Sequence, residues 1–352
     1  MPEDVDLAEV GGGSGKGLRR LTRPLQVAFA LALFAAVVFV VDQFVPGAGH
    51  RLAQARPAWL TASLGLELIA LGSYAVLFHA VFARAPYLLS RRRSTQIALG
   101  ELGAFALLPT GLGGPVLRFW ALRASGMPLR TAVVRSISHA AVFNAPYLLA
   151  ALVLGVGVSL RLLPGHAPVL TALAPIAVVL VTCAIALAAV ALSRAGFLTE
   201  GGLWRTRVRE ALTTVPDGVR DFATVIRRPG ASLGALGWWV GDCAALWAAF
   251  HAVGGAPALT VLVLAYMLGQ LGSALVPLPG GIGGVEPVML GILVASGVNV
   301  GLGAAAIVCY RAISLGAQGA TGALAVATLI PDIRSSQARR EPVAGAPASV
   351  AE

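Results

Sequence analysis

Six apolar runs, at about 24–45, 58–82, 131–158, 168–192, 233–253 and 301–330, constrain this chain more than anything else in it. Each offers the ~20 residues that an α-helix needs to cross a bilayer. A spanning segment must satisfy its backbone internally, so runs of this length predict helices. Only 12% of the residues are charged and 57% are hydrophobic. A soluble domain carries about 25% charged residues, so these are too few to cover a water-facing surface. The reading is therefore an all-α, polytopic helical membrane protein in place of two soluble domains. The first run is too long for a signal-peptide core, and Ala53-Gln54-Ala55 is a weak match to a cleavage site.

The formal charge is +10, carried almost wholly by arginine, since Lys16 is the only lysine. In a water-soluble protein this balance would point to nucleic acid. Here the basic residues fall between apolar runs, as expected of cytoplasmic loops facing anionic lipid, and nucleic acid is excluded as a partner. The leader, Arg84 to Arg93, the seven arginines of 194–228 and the tail share one side when the N-terminus is cytoplasmic, while Arg51, Arg56 and Arg161 fall on the other. That asymmetry predicts six full spans in the cell membrane with both termini cytoplasmic. Residues 1–23 read as a disordered leader, 24–330 as the membrane domain and 331–352 as a disordered tail. The run Gly11-Gly12-Gly13-Ser14-Gly15-Lys16 lacks the spacing of a phosphate loop and follows no strand. Cys183, Cys243 and Cys309 sit in apolar stretches as small buried residues. His79, His139 and His251 form no zinc-ligand pattern and read as packing residues, so no metal or other cofactor is expected.

Two further apolar stretches are interrupted, and the interruptions resemble each other. Leu99-Gly100-Glu101-Leu102-Gly103-Ala104 matches Leu268-Gly269-Gln270-Leu271-Gly272-Ser273, and Pro109-Thr110-Gly111-Leu112-Gly113-Gly114 matches Pro279-Gly280-Gly281-Ile282-Gly283-Gly284. Ala124-Ser125-Gly126 then matches Ala295-Ser296-Gly297, and Arg135-Ser136-Ile137-Ser138 matches Arg311-Ala312-Ile313-Ser314. These define repeat A at about 58–158 and repeat B at about 231–330, each with a re-entrant broken-helix pair. Three full spans lie between the breaks, so the second copy is expected to be inverted. Inverted repeats with broken helices are a transporter architecture with a midplane substrate site.

Irregular backbone at membrane depth is tolerated only where protein buries it or where it lines a wet cavity. Gly113-Gly114 and Gly283-Gly284 each open a half-helix, whose first N–H groups lack intrahelical partners and carry partial positive charge. Two such ends facing each other would suit a phosphate. Pro115 fits a first-turn position. The alternative is that the glycines only permit tight helix packing.

Charged side chains in a membrane cost several kcal/mol, which makes each a site candidate. Glu286, in the first turn of the second half-helix, is a candidate for a cationic headgroup, a proton or a helix cap. Arg118, Arg135 and Arg311 accompany the repeat. Phosphate binding and structural pairing with Glu101 or Glu286 are both open for them, and the matched strings predict that Arg135 and Arg311 are equivalent. Asp242 and Gln270, with Glu67, complete the candidates.

These motifs resemble the transmembrane region of lysylphosphatidylglycerol synthases, a flippase-like family also found as stand-alone membrane proteins. The resemblance covers roughly residues 25–330. It rests most specifically on Pro277-Leu278-Pro279-Gly280-Gly281-Ile282-Gly283-Gly284-Val285-Glu286, with Gly297 and Arg311 beyond, and also on 108–118 with Arg135. It implies a membrane domain that moves aminoacylated phospholipids between leaflets, beside a separate soluble domain that attaches the amino acid. The family often has an acidic residue where this chain has Pro115. Only about twenty residues follow the last span, so lipid aminoacylation by this chain alone is not expected.

The leading expectation is a lipid translocase that is not an enzyme, and whose partner is a phospholipid with an anionic or aminoacylated headgroup. A homo-oligomer and complexes with cell-envelope biosynthetic enzymes are compatible with it. The alternatives are an accessory scaffold and a membrane enzyme of cell-envelope lipid or glycan biosynthesis. The enzyme would need a convergent acid/base or metal constellation, and the carboxylates here are dispersed along the chain.

Overall fold

The computed structural model describes residues 48–108, 113–160, 203–274 and 278–338, with 162 and scattered positions between 173 and 191. The leader, the first apolar run, most of the run at 168–192, Pro109 through Leu112, Arg161, Cys183, Pro277 and the end of the tail lie outside the described residues.

A short helix, α1 (Ala48–Ala53), precedes α2 (Pro57–Phe82), which begins with proline in its first turn, where the missing N–H leaves no bond unmade. Helix α3 (Arg91–Leu107) starts at Ser90, whose hydroxyl accepts from the Arg93 N–H at 3.2 Å. After the first break come α4 (Gly113–Ala124) and α5 (Leu129–Ser159). The described chain resumes with α6 (Leu203–Val225) and α7 (Pro229–Ala252). Helix α8 (Leu259–Leu271) runs into the 3-10 turns Gly272–Ala274 and Pro279–Gly281, followed by α9 (Val285–Ala295) and α10 (Val300–Ala338). The described residues contain no strand. Among the described residues four helices are long and apolar enough to cross a membrane: Pro57–Phe82, Leu129–Val158, Pro229–Ala252 and Val300–Ser335. They coincide with the runs at 58–82, 131–158, 233–253 and 301–330, and the chain is an all-α polytopic membrane protein.

The centre of the packing is the antiparallel pair α2 and α7. The Arg56 N–H donates to the Ala252 carbonyl at 2.9 Å at one end, while Gly230 lies beside Ala80 at the other. Between them Ser63 Oγ donates to the Ala245 carbonyl at 2.8 Å. Gly234, Gly237 and Gly241 face α2, and a Cβ on any of them would strike Leu77, Ser73 or Ala70. Lipid tails are as apolar as leucine, so membrane helices associate through close approach of small residues, and this stripe provides it. Leu64, Leu68 and Ile69 on α2, Leu149 and Val153 on α5, and Leu233 and Val240 on α7 point outward, as lipid-facing residues should.

Helices α2 and α7 each lead into a broken hairpin, and they run in opposite directions. In the first hairpin Gly100 faces Leu117 and Gly114 faces Glu101 and Phe105. In the second, Gly269 faces Met289 and Gly272 faces Gly284. Each hairpin is followed by a glycine at positive φ, Gly126 at 91° and Gly297 at 87°, that turns the chain into the next long helix. Two buried clusters result, one around Phe78, Phe82, Ile97 and Leu122, the other around Phe250, Tyr266, Met289 and Tyr310.

Two features differ from the sequence reading. The arginine-rich segment 203–225 is a helix, and its carboxylates tie it to the ends of the spans: Arg84 holds Asp221 with bonds of 2.8 and 2.7 Å, and Arg130 reaches Asp217 at 3.0 Å. The last helix also continues through Pro331 to Ala338. Asp332, in that extension, accepts from Gln96 at 2.9 Å and pairs with Arg92 at 3.0 Å, while Ile333 is buried. These contacts to α3 give the segment a folded surface to lie on.

Candidate functional site

Helix α10 passes both breaks. Gly322 meets Gly103 backbone to backbone, so neither position has room for a side chain. One turn nearer the α10 N-terminus Gly319 lies against Leu107, at the end of α3. One further turn along, Leu315 lies against Gly280, in the second break. The next turn brings Arg311, whose Nε donates to Glu286 Oε1 at 2.7 Å and whose fork reaches the Gly280 carbonyl. The turn Pro279–Gly281 also packs against α3. The end of α3 that leads into the first break and the turn Pro279–Gly281 of the second are thereby stacked along about three turns of one helix.

Their depth follows from helix lengths. Glu67, Glu101 and Arg311 each lie ten or eleven residues inside α2, α3 and α10. At ~1.5 Å per residue that is about 15 Å, half of a hydrocarbon core of ~30 Å. Asp242 lies ten residues from the end of α7, at a similar depth.

Each break carries its own ion pair. In the first, Arg118 of α4 grips Glu101 of α3 through both carboxylate oxygens, with Nε to Oε2 at 2.8 Å, and Nη2 also reaches the Tyr74 hydroxyl at 3.4 Å. Its guanidinium stands 5.8 Å from the centre of the Phe82 ring. In the second, Glu286 is shared: Oε1 accepts from Arg311, and Oε2 accepts from the Gly283 N–H at 2.7 Å. Glu286 thus caps the start of α9 and is held by a cation at once. An ionised carboxylate is a strong acceptor, and burial makes both pairs costly to break.

The break backbone explains its glycines. Gly280, Gly281 and Gly283 have φ of 59°, 68° and 80°, a region in which a Cβ is strained. Gly284 is the N-cap of α9, and Gly113 and Gly114 begin α4. Gly114 is pressed against the Glu101 backbone and side-chain stem, which places that carboxylate beside the first turn of α4.

Arg135 is not the counterpart of Arg311. Its guanidinium donates to the carbonyls of Phe82 at 2.7 Å, Arg84 at 3.1 Å and Ala85 at 3.0 Å, so it caps the end of α2. Arg135 follows Gly126 by nine residues, whereas Arg311 follows Gly297 by fourteen. Five extra residues turn a helix by roughly 140°, which moves the side chain to another face.

The remaining candidates converge in a third cluster. Asp242 accepts from Tyr266 at 2.7 Å and Tyr310 at 2.8 Å, and Gln270 Nε2 approaches the Tyr310 hydroxyl at 3.3 Å. Glu67 sits on α2 between Ser63, which meets Ala245, and Ala70, which meets Gly241, so it comes opposite Asp242 of α7, and it accepts from Ser314 at 3.1 Å and Gln318 at 3.3 Å. Tyr74, Tyr266, Tyr310, Ser314 and Gln318 were not anticipated. Tyr310, Ser314 and Gln318 recur at i, i+4 and i+8, a polar stripe on an apolar helix that the sequence does display.

The histidines pack. His79 Nδ1 meets Ser94 Oγ at 3.0 Å, His139 sits among Tyr74, Phe82 and Phe143, and His251 meets the Trp247 carbonyl at 3.0 Å. Trp239 Nε1 donates to the Phe143 carbonyl at 2.7 Å. Among the described residues no three metal-ligating side chains converge.

No curated protein matches the chain. The model of the family described as the lysylphosphatidylglycerol synthase TM region matches residues 26–322, which include both hairpins and the Arg118–Glu101 and Arg311–Glu286 pairs. The chain therefore belongs to the lysylphosphatidylglycerol synthase TM region family, multi-pass membrane proteins of lipid biosynthesis or translocation.

Proposed function

We propose that this protein is a flippase-like translocase, not an enzyme, that moves a polar-headed phospholipid between the leaflets of the cell membrane. The observation that carries the reading is the stacking of two ion-paired breaks along α10 at mid-membrane depth. Each pair balances its own charge while closed. An anionic phosphate can replace the carboxylate on Arg118 or Arg311, and a cationic headgroup, such as an aminoacyl amine, can take the freed Glu101 or Glu286. Substrate thus exchanges for an internal partner, and no charge is left bare at membrane depth. The half-helix start at Gly113-Gly114, and the Gly283 N–H once Glu286 leaves it, add donors for the phosphate. Gln270 of α8 adjoins the second break through Ser273, and Asp242 of α7 is linked to Gln270 through Tyr310. The excess of arginine in the segments between the spans supports a cytoplasmic side for both termini.

Leaflet exchange in proteoliposomes tests this reading. Labelled phospholipids with anionic, zwitterionic and lysyl-esterified headgroups are supplied in turn to the purified protein. Protein-dependent exchange that varies with headgroup supports translocation and ranks the substrates. Absence of exchange for all three, with folded protein, overturns it in favour of an accessory role.

A further inference from the structure

Glu67 and Asp242 are both buried at mid-membrane depth, and among the described residues no arginine or histidine pairs with either. Two adjacent ionised carboxylates without a cation would repel each other and each bear the cost of a charge in a membrane. The hydrogen bonds distinguish the two groups. Both oxygens of Asp242 accept from tyrosine hydroxyls, Oδ2 from Tyr266 and Oδ1 from Tyr310. That is the pattern of a carboxylate. Glu67 differs: Oε1 accepts from Ser314 and Gln318, while Oε2 is buried with no hydrogen-bond partner of its own. A buried carboxyl oxygen that accepts nothing, on a helix packed in register against the one that carries Asp242, is the place for a hydrogen.

We propose that Glu67 carries an exchangeable proton on Oε2, donated toward Asp242, and that this pair is the site where proton binding is coupled to opening of the second break. The coupling part rests on the translocase reading above. Release breaks the Glu67 O–H bond and passes H⁺ to water entering the break, leaving two carboxylates and one more negative charge. Uptake reverses the step.

The groups around the pair show what the added charge would act on. Helix α2 contributes Glu67, and α7 contributes Asp242 with Cys243 beside it. Helix α8 contributes the Tyr266 hydroxyl, and α10 contributes Tyr310. The next residue of α10 is Arg311, which is engaged with Glu286 and Gly280. A second negative charge on the pair competes with Glu286 for Arg311 and tightens the hold of Asp242 on both tyrosines. Both effects bear on α8 and α10, the helices that flank the break. Glu67 bonds to Ser314 and Gln318 and forms no ion pair with Arg311, so it belongs to the coupling site and not to the lipid-binding groups.

Two measurements on the reconstituted full chain test the proposal, with Glu67→Gln fixing the neutral form at constant shape. The first is the infrared band of protonated carboxylic acids. The expected result is a band in the native protein that Glu67→Gln removes and Asp242→Asn shifts. An unchanged band in Glu67→Gln overturns the assignment of the proton. The second is lipid exchange under an imposed pH gradient. The native protein is expected to enrich labelled lipid in one leaflet, while Glu67→Gln equilibrates it at a similar rate without enrichment. Exchange in the native protein that ignores the gradient overturns the coupling and leaves the translocase reading standing. Absence of any exchange overturns translocation and the coupling with it, and the infrared band then decides the proton alone. If Glu67→Gln does not fold, loss of the native band on raising the pH, with its shift in Asp242→Asn, replaces it.

Discussion

Arg311 and Glu286 fasten the second break at two points, because one guanidinium holds both the carboxylate at 2.7 Å and the carbonyl of Gly280. The same carboxylate takes the Gly283 N–H. Removing the cation leaves a carboxylate at membrane depth without its partner, a loss of about 3–5 kcal/mol in buried pairs. Arg311→Gln is therefore expected to lower stability by that order, and Glu286→Gln/Arg311→Gln by clearly less than the two single losses added. A double-mutant cycle on chemical denaturation in detergent measures this. Additive losses would show that the pair is not coupled.

The Arg118–Glu101 pair uses both oxygens of the carboxylate and adds Tyr74. Lysine offers a point charge and cannot reproduce that fork. Arg118→Lys is expected to lose at least half the stability that Arg118→Gln loses, as read from melting temperatures in detergent. Full retention in Arg118→Lys would reduce the contact to simple charge balance.

Gly280 has positive φ and lies against Leu315, so Gly280→Ala combines backbone strain with overlap. The strain alone is roughly 1–2 kcal/mol. Gly291 in α9 has open space and helical backbone, and Gly291→Ala should be neutral or stabilising by up to ~1 kcal/mol. Thermal unfolding of the two variants gives the comparison.

How much of this was legible in the sequence depends on how far each contact reaches along the chain. The spans at 57–82 and 229–252 could be read because hydropathy is local, and the hairpins because their glycines are duplicated. The pairing of Arg118 with Glu101 could not, because both residues had several available partners until the hairpin set α4 against α3. The supposed equivalence of Arg135 and Arg311 came from a four-residue match, and the five-residue shift in helix register undoes it. Glu67 looked like a stray charge, since its partners Ser314 and Gln318 lie on a helix more than two hundred residues away.

Gly103 and Gly322 bring the backbones of α3 and α10 into contact between the first break and the ends joined by Arg92 and Asp332. Gly322→Val is expected to force the helices apart and destabilise by about 1–3 kcal/mol, the range for overpacking a tight site. Gly316→Val, where no atom lies within 4 Å, is the control and should be neutral or stabilising by less than ~1 kcal/mol, because glycine is the poorer helix former.

The central claim is that two ion-paired breaks, stacked on α10, carry a phospholipid across the membrane. Leaflet exchange of a labelled anionic phospholipid by the native protein, Arg118→Gln and Arg311→Gln in otherwise identical proteoliposomes tests it most directly. The account predicts exchange by the native protein and a loss of tenfold or more in either variant (~1.4 kcal/mol of barrier per tenfold) while both remain folded. Native rates in both variants would contradict it.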